Sequence, residues 1–296
     1  MATILGGFQR LRAAVRSLGR RAKQPATGSV AASRAAEPGD DPWIPPAASA
    51  TRADFDAYLD RLREKWKTIP AESQGRIDTS RLAALPEAEL MAFWRKTFED
   101  TSAGAGWKVR GWYHELYAPL MRSSVAVLDV GSGLGHSSIF FARQGARVTC
   151  LDIVESNLAV VRRVRDHYRL GNVRTVLLRD LAAVEQLGES YDVITAIGSL
   201  LHAPFELNCL ERRALTAHLK PGGRWLELTY PKTRWVRDGR LPFDQWGVRT
   251  DGIGTPWAEW YELPKLLHSL QPACFDVLFT CTQWDEQINW FDLVKR

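Results

Sequence analysis

The chain has 296 residues, 45% hydrophobic and 25% charged, which are the proportions of a folded globular protein with enough apolar side chains for a substantial core. Its four cysteines (Cys150, Cys209, Cys274, Cys281) form no C-x-x-C pair, which excludes a disulfide scaffold and a zinc cluster and points to a reducing compartment. No run approaches the roughly 18 apolar residues that a membrane-spanning helix needs.

The net charge of +5 suggests an acidic polymer or membrane as partner until it is located along the chain. Residues 1–36 hold Arg10, Arg12, Arg16, Arg20, Arg21, Lys23 and Arg34 and no acid, so this segment carries +7 and the remainder −2. The body is therefore not basic, and it lacks the field that nucleic-acid binding normally uses. Within the basic start, Ile4, Phe8, Leu11, Val15 and Leu18 recur at helical spacing. Residues 1–23 thus read as a basic amphipathic segment whose residues 4–21 could lie on an anionic membrane surface. The alternatives are a transit peptide or a basic tail. The location expected is cytoplasmic, at the inner face of a membrane if the segment anchors, or an organelle if it targets.

Residues 24–50, rich in Ala, Ser, Gly and Pro, read as a flexible linker. Thr51 is a candidate N-cap, after which Phe55, Leu59, Leu62 and Trp66 give a helical stripe. A second helix is expected from Pro86 through Leu90, Phe93 and Trp94, and a third over 111–121, so that residues 51–123 form a helical cap. From Ser124 the texture changes. Stretches 125–130, 146–153, 173–178, 191–197 and 224–230 read as buried strands alternating with helices. That alternation predicts an α/β fold, a three-layer doubly wound and mostly parallel sheet over 124–296, with ligand sites at the carboxyl ends of its strands. Pro256 to Ser269 reads as a final helix, followed by strands near 275–282 and 288–294.

The most informative stretch is Val127-Leu-Asp129-Val-Gly131-Ser132-Gly133-Leu-Gly135-His136, a strand entering a glycine turn from which a helix leaves. Such a turn lets the backbone approach a ligand closely while the helix start presents free N–H groups. Its spacing is G-x-G-x-G, with His136 where the dinucleotide-binding pattern has glycine. Asp129, two positions before the first glycine, is unfavourable beside a pyrophosphate and suitable beside an ammonium group.

With these features the chain resembles a class I S-adenosylmethionine-dependent methyltransferase over about residues 86–296. Asp129, Gly131, Gly133 and Gly135 match that family's first motif; Asp152 ends the second strand; Arg179-Asp180-Leu181 follows the third; Tyr191 to Ile194 and Leu219 to Gly223 match the fourth strand and the turn before the fifth. The resemblance implies S-adenosylmethionine as cofactor and a seven-stranded sheet whose last strand is antiparallel. It implies cofactor contacts from Asp129, Gly131, Ser132, Gly133, Gly135, Asp152, Ile153, Asp180, Leu181, Gly198 and Ser199. Each has a structural alternative: geometry alone for the glycines, a helix N-cap for Asp180.

For the chemistry, His202, after the fourth strand, is the candidate general base, with packing at a helix start as its alternative. The stretch after that strand has no Asn/Asp-Pro-Pro-aromatic run, which argues against methylation of base amines or glutamine amides. Tyr113 and His114 are candidate acceptor contacts on an element that the resemblance implies folds over the cofactor, with core packing as the alternative. The segment 231–256, long for a plain connection, is read as a substrate-binding insertion. With the residues just after it, this stretch brings Trp235, Trp246 and Trp257 among arginines and aspartates, which suits a sugar or another hydroxyl-bearing small molecule; core packing is the alternative. The reading is O-methylation of a glycan or small molecule, without metal and without a nucleic-acid partner. The runners-up are a non-catalytic partner of an active methyltransferase, and a nucleic-acid methyltransferase.

Overall fold

The computed structural model describes Trp43 and residues 49–70, 75–109 and 111–296. The expectations for residues 1–23, including 4–21, and for most of the linker lie outside them. Thr51 opens helix α1 (Arg52–Trp66) with a capping box, in which its hydroxyl accepts from the Asp54 amide at 3.2 Å and Asp54 accepts from the Thr51 amide at 2.8 Å. Two amides that the helix itself leaves unpaired are thereby satisfied. The stripe Phe55, Leu59 and Leu62 is buried, as its spacing predicts.

Between the first two expected helices the chain forms elements that periodicity does not reveal. Strands β1 (Thr68–Pro70) and β2 (Arg76–Asp78) pair antiparallel, and the short helix α2 (Thr79–Ala84) follows. Three-residue strands are too short to show an alternation. Helix α3 (Glu87–Ser102) starts after Pro86, and α4 (Gly111–Tyr117) ends in a 3₁₀ turn over Ala118–Leu120.

The α/β part follows in the expected order: β3 (Ala126–Val130), α5 (His136–Arg143), β4 (Arg147–Asp152), α6 (Glu155–His167), β5 (Val173–Leu177), α7 (Leu181–Glu185), β6 (Tyr191–Ile197), α8 (Phe205–Ala217) and β7 (Leu219–Thr229). Segment 231–256 is not a plain loop, for it contains α9 (Lys232–Arg237) and α10 (Phe243–Asp251). The expected helix over 256–269 is corrected to α11 (Leu263–Ser269). The residues before it are held extended, because Glu259 donates its amide to the Leu201 carbonyl at 2.8 Å and Tyr261 donates to Tyr230 at 2.9 Å. Those amides are spent on the loop after β6 and the end of β7 and are lost to a helix. Strands β8 (Phe275–Gln283) and β9 (Ile288–Lys295) complete the chain.

The sheet runs β5-β4-β3-β6-β7-β9-β8. The first five strands are mutually parallel, and β9 is antiparallel to both β7 and β8. All five residues of β3 are buried, the mark of a central strand covered on both faces. One apolar cluster takes in α1, α7, α8 and α11, and the other takes in α3 to α6. Strand order reverses between β3 and β6, so a crevice opens at their carboxyl ends. No described helix is long and apolar enough to cross a membrane.

Candidate active site

A cavity lies at that crevice, and the glycine turn forms its floor. Gly131 has φ +69°, and a Cβ there would stand 2.4 Å from the Ser199 Cβ, so the two loops approach too closely for any side chain. Gly133 has φ +54° and nothing within 4 Å of its would-be Cβ, which leaves free space above the turn. Ser199 Oγ donates to the Val130 carbonyl at 2.7 Å and ties the loop after β6 to the end of β3.

Two acids from the strands stand beneath the turn. Asp129 is buried and accepts from the hydroxyls of Ser138 and Thr195, the latter at 2.9 Å; burial raises its pKa against these bonds. Asp152 accepts from the Gly133 and Val154 amides, each at 2.8 Å, and from the Asn157 side chain at 3.1 Å. Burial nevertheless pushes its carboxyl up to about 6. Ile153 also lines the cavity. The buried Ser132 Oγ and Asn157 Oδ1 have no hydrogen-bond partner among the described residues, so polar capacity remains at the turn.

The loop after β6 supplies Gly198, Ser199, Leu200 and His202 to the cavity wall. His202 is 4% exposed, its Nδ1 lies 3.2 Å from the Trp257 carbonyl oxygen, and its ring centroid is 4.6 Å from that of Trp66. Burial lowers its pKa; the Asp251 charge and the backbone of Trp257 and Gly198 oppose that shift. Arg212, wholly buried on α8, donates from Nη2 to the Leu200 carbonyl at 2.7 Å and to Glu227 at 2.5 Å, and so braces the loop from below.

The opposite wall comes from the N-terminal elements: Leu59, Leu62 and Trp66 on α1, Ile69 and Pro70 on β1, and Tyr113 on α4. Tyr113 hydrogen-bonds Ser137 through its hydroxyl. His114 sits behind it, with Nε2 3.1 Å from Ser137 Oγ and its ring stacked on Phe140 at 4.6 Å, outside the cavity lining. The structure does not bring the three tryptophans to the cavity. Trp246 is fully buried and donates to Asp238 at 2.9 Å, Trp257 donates to Glu259 at 2.8 Å, and Trp235 donates to the Leu241 carbonyl at 2.8 Å while packing on Phe243. They build the inner face of the insertion. Asp180 caps α7 by accepting from the Ala183 amide at 2.9 Å, and the Leu181 amide donates to Asp56 of α1 at 3.0 Å.

Cavity residues that sequence reasoning missed include Leu59, Leu62 and Trp66, read only as a helical stripe, and Glu211 on α8. The helical stripe identifies a buried face of α1 and carries no information about whether a void lies beneath it.

Residues 127–223 match a family described as a methyltransferase domain. A protein named ubiquinone biosynthesis O-methyltransferase from Bordetella parapertussis is 38% identical over 122 residues, covering 39% of this chain and 46% of that protein. One of the same name from Xanthomonas axonopodis pv. citri is 37% identical, covering 39% and 47%. The chain thus spans about half the length of these relatives. Among solved structures, magnesium protoporphyrin IX methyltransferase from Synechocystis PCC 6803 shares 20% identity at a TM-score of 0.49, covering 83% of this chain and 98% of the other.

The residues present fit S-adenosylmethionine: unpaired polar atoms at Ser132 and Asn157, open space over Gly133, and an acid near the carboxyl end of each of the strands β3 and β4. The matched stretch 127–223 is a class I S-adenosylmethionine-dependent methyltransferase domain, set in a seven-stranded sheet with a glycine-floored cavity.

Proposed function

We propose that the protein transfers a methyl group from S-adenosylmethionine to a hydroxyl of a small, largely apolar molecule. The observation that carries this reading is His202, a buried imidazole on the cavity wall beside the Trp66 ring. The cofactor, when bound, supplies a methyl group already activated on a sulfonium. The chain's own residues have to align the acceptor, exclude water and remove a proton. The Trp257 carbonyl can only accept, so the hydrogen bond at 3.2 Å supports the neutral tautomer protonated on Nδ1, in which Nε2 is the nitrogen able to take a proton. Burial keeps the ring neutral near pH 7, the state a general base requires.

The walls argue for a small apolar acceptor over a glycan. Leu59, Leu62, Trp66 and Ile69 offer apolar surface, and the tryptophans suited to sugar stacking are occupied in packing. The relatives named as ubiquinone biosynthesis O-methyltransferases support hydroxyl methylation over the matched stretch. The test is formation of S-adenosylhomocysteine from S-adenosylmethionine with a panel of phenols and catechols. Turnover with at least one acceptor, slowed 10²–10⁴-fold by His202→Gln, is expected. Turnover confined to amines, or an unchanged rate in His202→Gln, overturns the reading.

A further inference from the structure

Three acids line the cavity, and two of them, Asp129 and Asp152, are held by hydrogen-bond donors. The third, Glu211, lies on α8, 8% exposed, and no hydrogen-bond donor among the described residues engages its carboxyl. Its chain neighbour Arg212 directs its Nη2 to Leu200 and Glu227 instead. Burial pushes Glu211 up to about 7, with Arg212 opposing and Glu227 reinforcing the shift. A buried carboxyl without a partner costs stability, and a carboxyl that faces a cavity can recover that cost by pairing with a ligand.

The surroundings of Glu211 indicate which part of a ligand would meet it. Leu59, Leu62, Leu178 and Leu200 line the cavity with it and give this part an apolar wall. The Leu178 amide donates to the Asp152 carbonyl at 2.8 Å, so this wall adjoins Asp152 and Ile153. Helix α8 packs here against α7 and α1. The two groups expected from the resemblance to hold an adenine are engaged elsewhere: Asp180 caps its own helix, and the Leu181 amide is taken by Asp56. An aromatic base entering between leucines would find one polar side chain at hand.

We propose that the Glu211 carboxyl recognises the exocyclic amine of the cofactor's adenine, in place of Asp180. This inference rests on the methyltransferase reading above and assigns a binding role to a residue outside the glycine turn and strand ends. In this role the carboxyl oxygen accepts an N–H of the six-amino group, and the leucines cover the faces of the ring.

The test compares binding of S-adenosylhomocysteine with that of its purine counterpart lacking the six-amino group, by calorimetry on the full chain. For the unaltered protein the purine ligand is expected to bind at least tenfold more weakly, because it leaves a buried carboxyl unpaired. Glu211→Leu should bring the two ligands within threefold of each other. Glu211→Gln keeps side-chain volume and an acceptor oxygen, and should keep the discrimination even if the leucine variant folds poorly. Equal discrimination in Glu211→Leu and the unaltered protein, or loss of discrimination in Glu211→Gln, overturns the proposal while leaving the methyltransferase reading intact. Failure of the unaltered protein to bind S-adenosylhomocysteine overturns both.

Discussion

Arg212 and Glu227 face one another at 2.5 Å with both side chains wholly excluded from solvent. The pair joins α8 to β7, and Glu227 also accepts from the Trp225 indole at 2.7 Å. Because Arg212 additionally holds the Leu200 carbonyl, a buried ion pair fixes the backbone of the loop that presents His202. Removing one partner leaves the other charge in a medium that cannot solvate it. Glu227→Gln or Arg212→Met should each lower unfolding stability by about 3–5 kcal/mol. Urea titration checks this, and a loss below about 1 kcal/mol would show that the pair relaxes or admits water.

Asp152 gives a pH dependence with a definite sign. Its folded pKa of about 6 lies above the ordinary carboxyl value near 3.9. The native state therefore holds more protons than the unfolded one between about pH 4 and 6, and stability falls as pH rises through that window. Between pH 5 and 7 this group should account for a loss of about 1.3 kcal/mol, about three-quarters of it below pH 6. Asp152→Asn removes the titration, so the ligand-free variant should show a flatter pH–stability curve in urea unfolding. A variant curve parallel to that of the unaltered protein would mean that Asp152 stays ionised throughout.

For His202 the shift runs the other way. Burial holds its pKa below 6.5, so the imidazole is neutral, and fit to act as a base, at neutral pH. The limb of the kcat profile that rises with pH should therefore level off before pH 7. His202→Gln should abolish that limb and slow turnover while leaving S-adenosylhomocysteine affinity within about threefold. A limb that persists in the variant assigns the titration to another group.

The parts of the fold legible in the sequence are those in which one physical rule acts alone. The inner parallel strands stand out because burial on both faces demands uninterrupted apolar runs, and β3 is buried at every position. Thr51 is recognisable because a cap depends on its immediate neighbours. The glycine turn and Asp152 are equally local. Glu211 is not, since nothing in its helix distinguishes a carboxylate aimed at a void from one at the surface; the void arises from α1, more than 140 residues earlier, closing over α8. Asp180 fits either role by sequence, and the competitor that takes the neighbouring Leu181 amide is Asp56, 125 residues away. The tryptophans of the insertion mislead for a related reason. Indole rings beside acids and arginines suit a ligand and a core equally well, and only burial separates the two.

That separation predicts opposite phenotypes for two tryptophans. Trp246 is 0% exposed, lies 5.7 Å from the Tyr230 ring and bonds Asp238, with no surface on the cavity. Trp246→Ala should cost about 3–5 kcal/mol of stability, as truncation of a large core ring does. In protein that remains folded, the KM for an acceptor should be unchanged. Trp66 is only half-buried, lines the cavity and lies against His202. Trp66→Ala should cost less stability and raise the acceptor KM at least fivefold, because it removes apolar wall at the group that takes the proton. Thermal unfolding paired with steady-state kinetics on both variants separates the cases. A raised KM in Trp246→Ala together with an unchanged one in Trp66→Ala would return the acceptor site to the insertion, where the sequence alone had placed it.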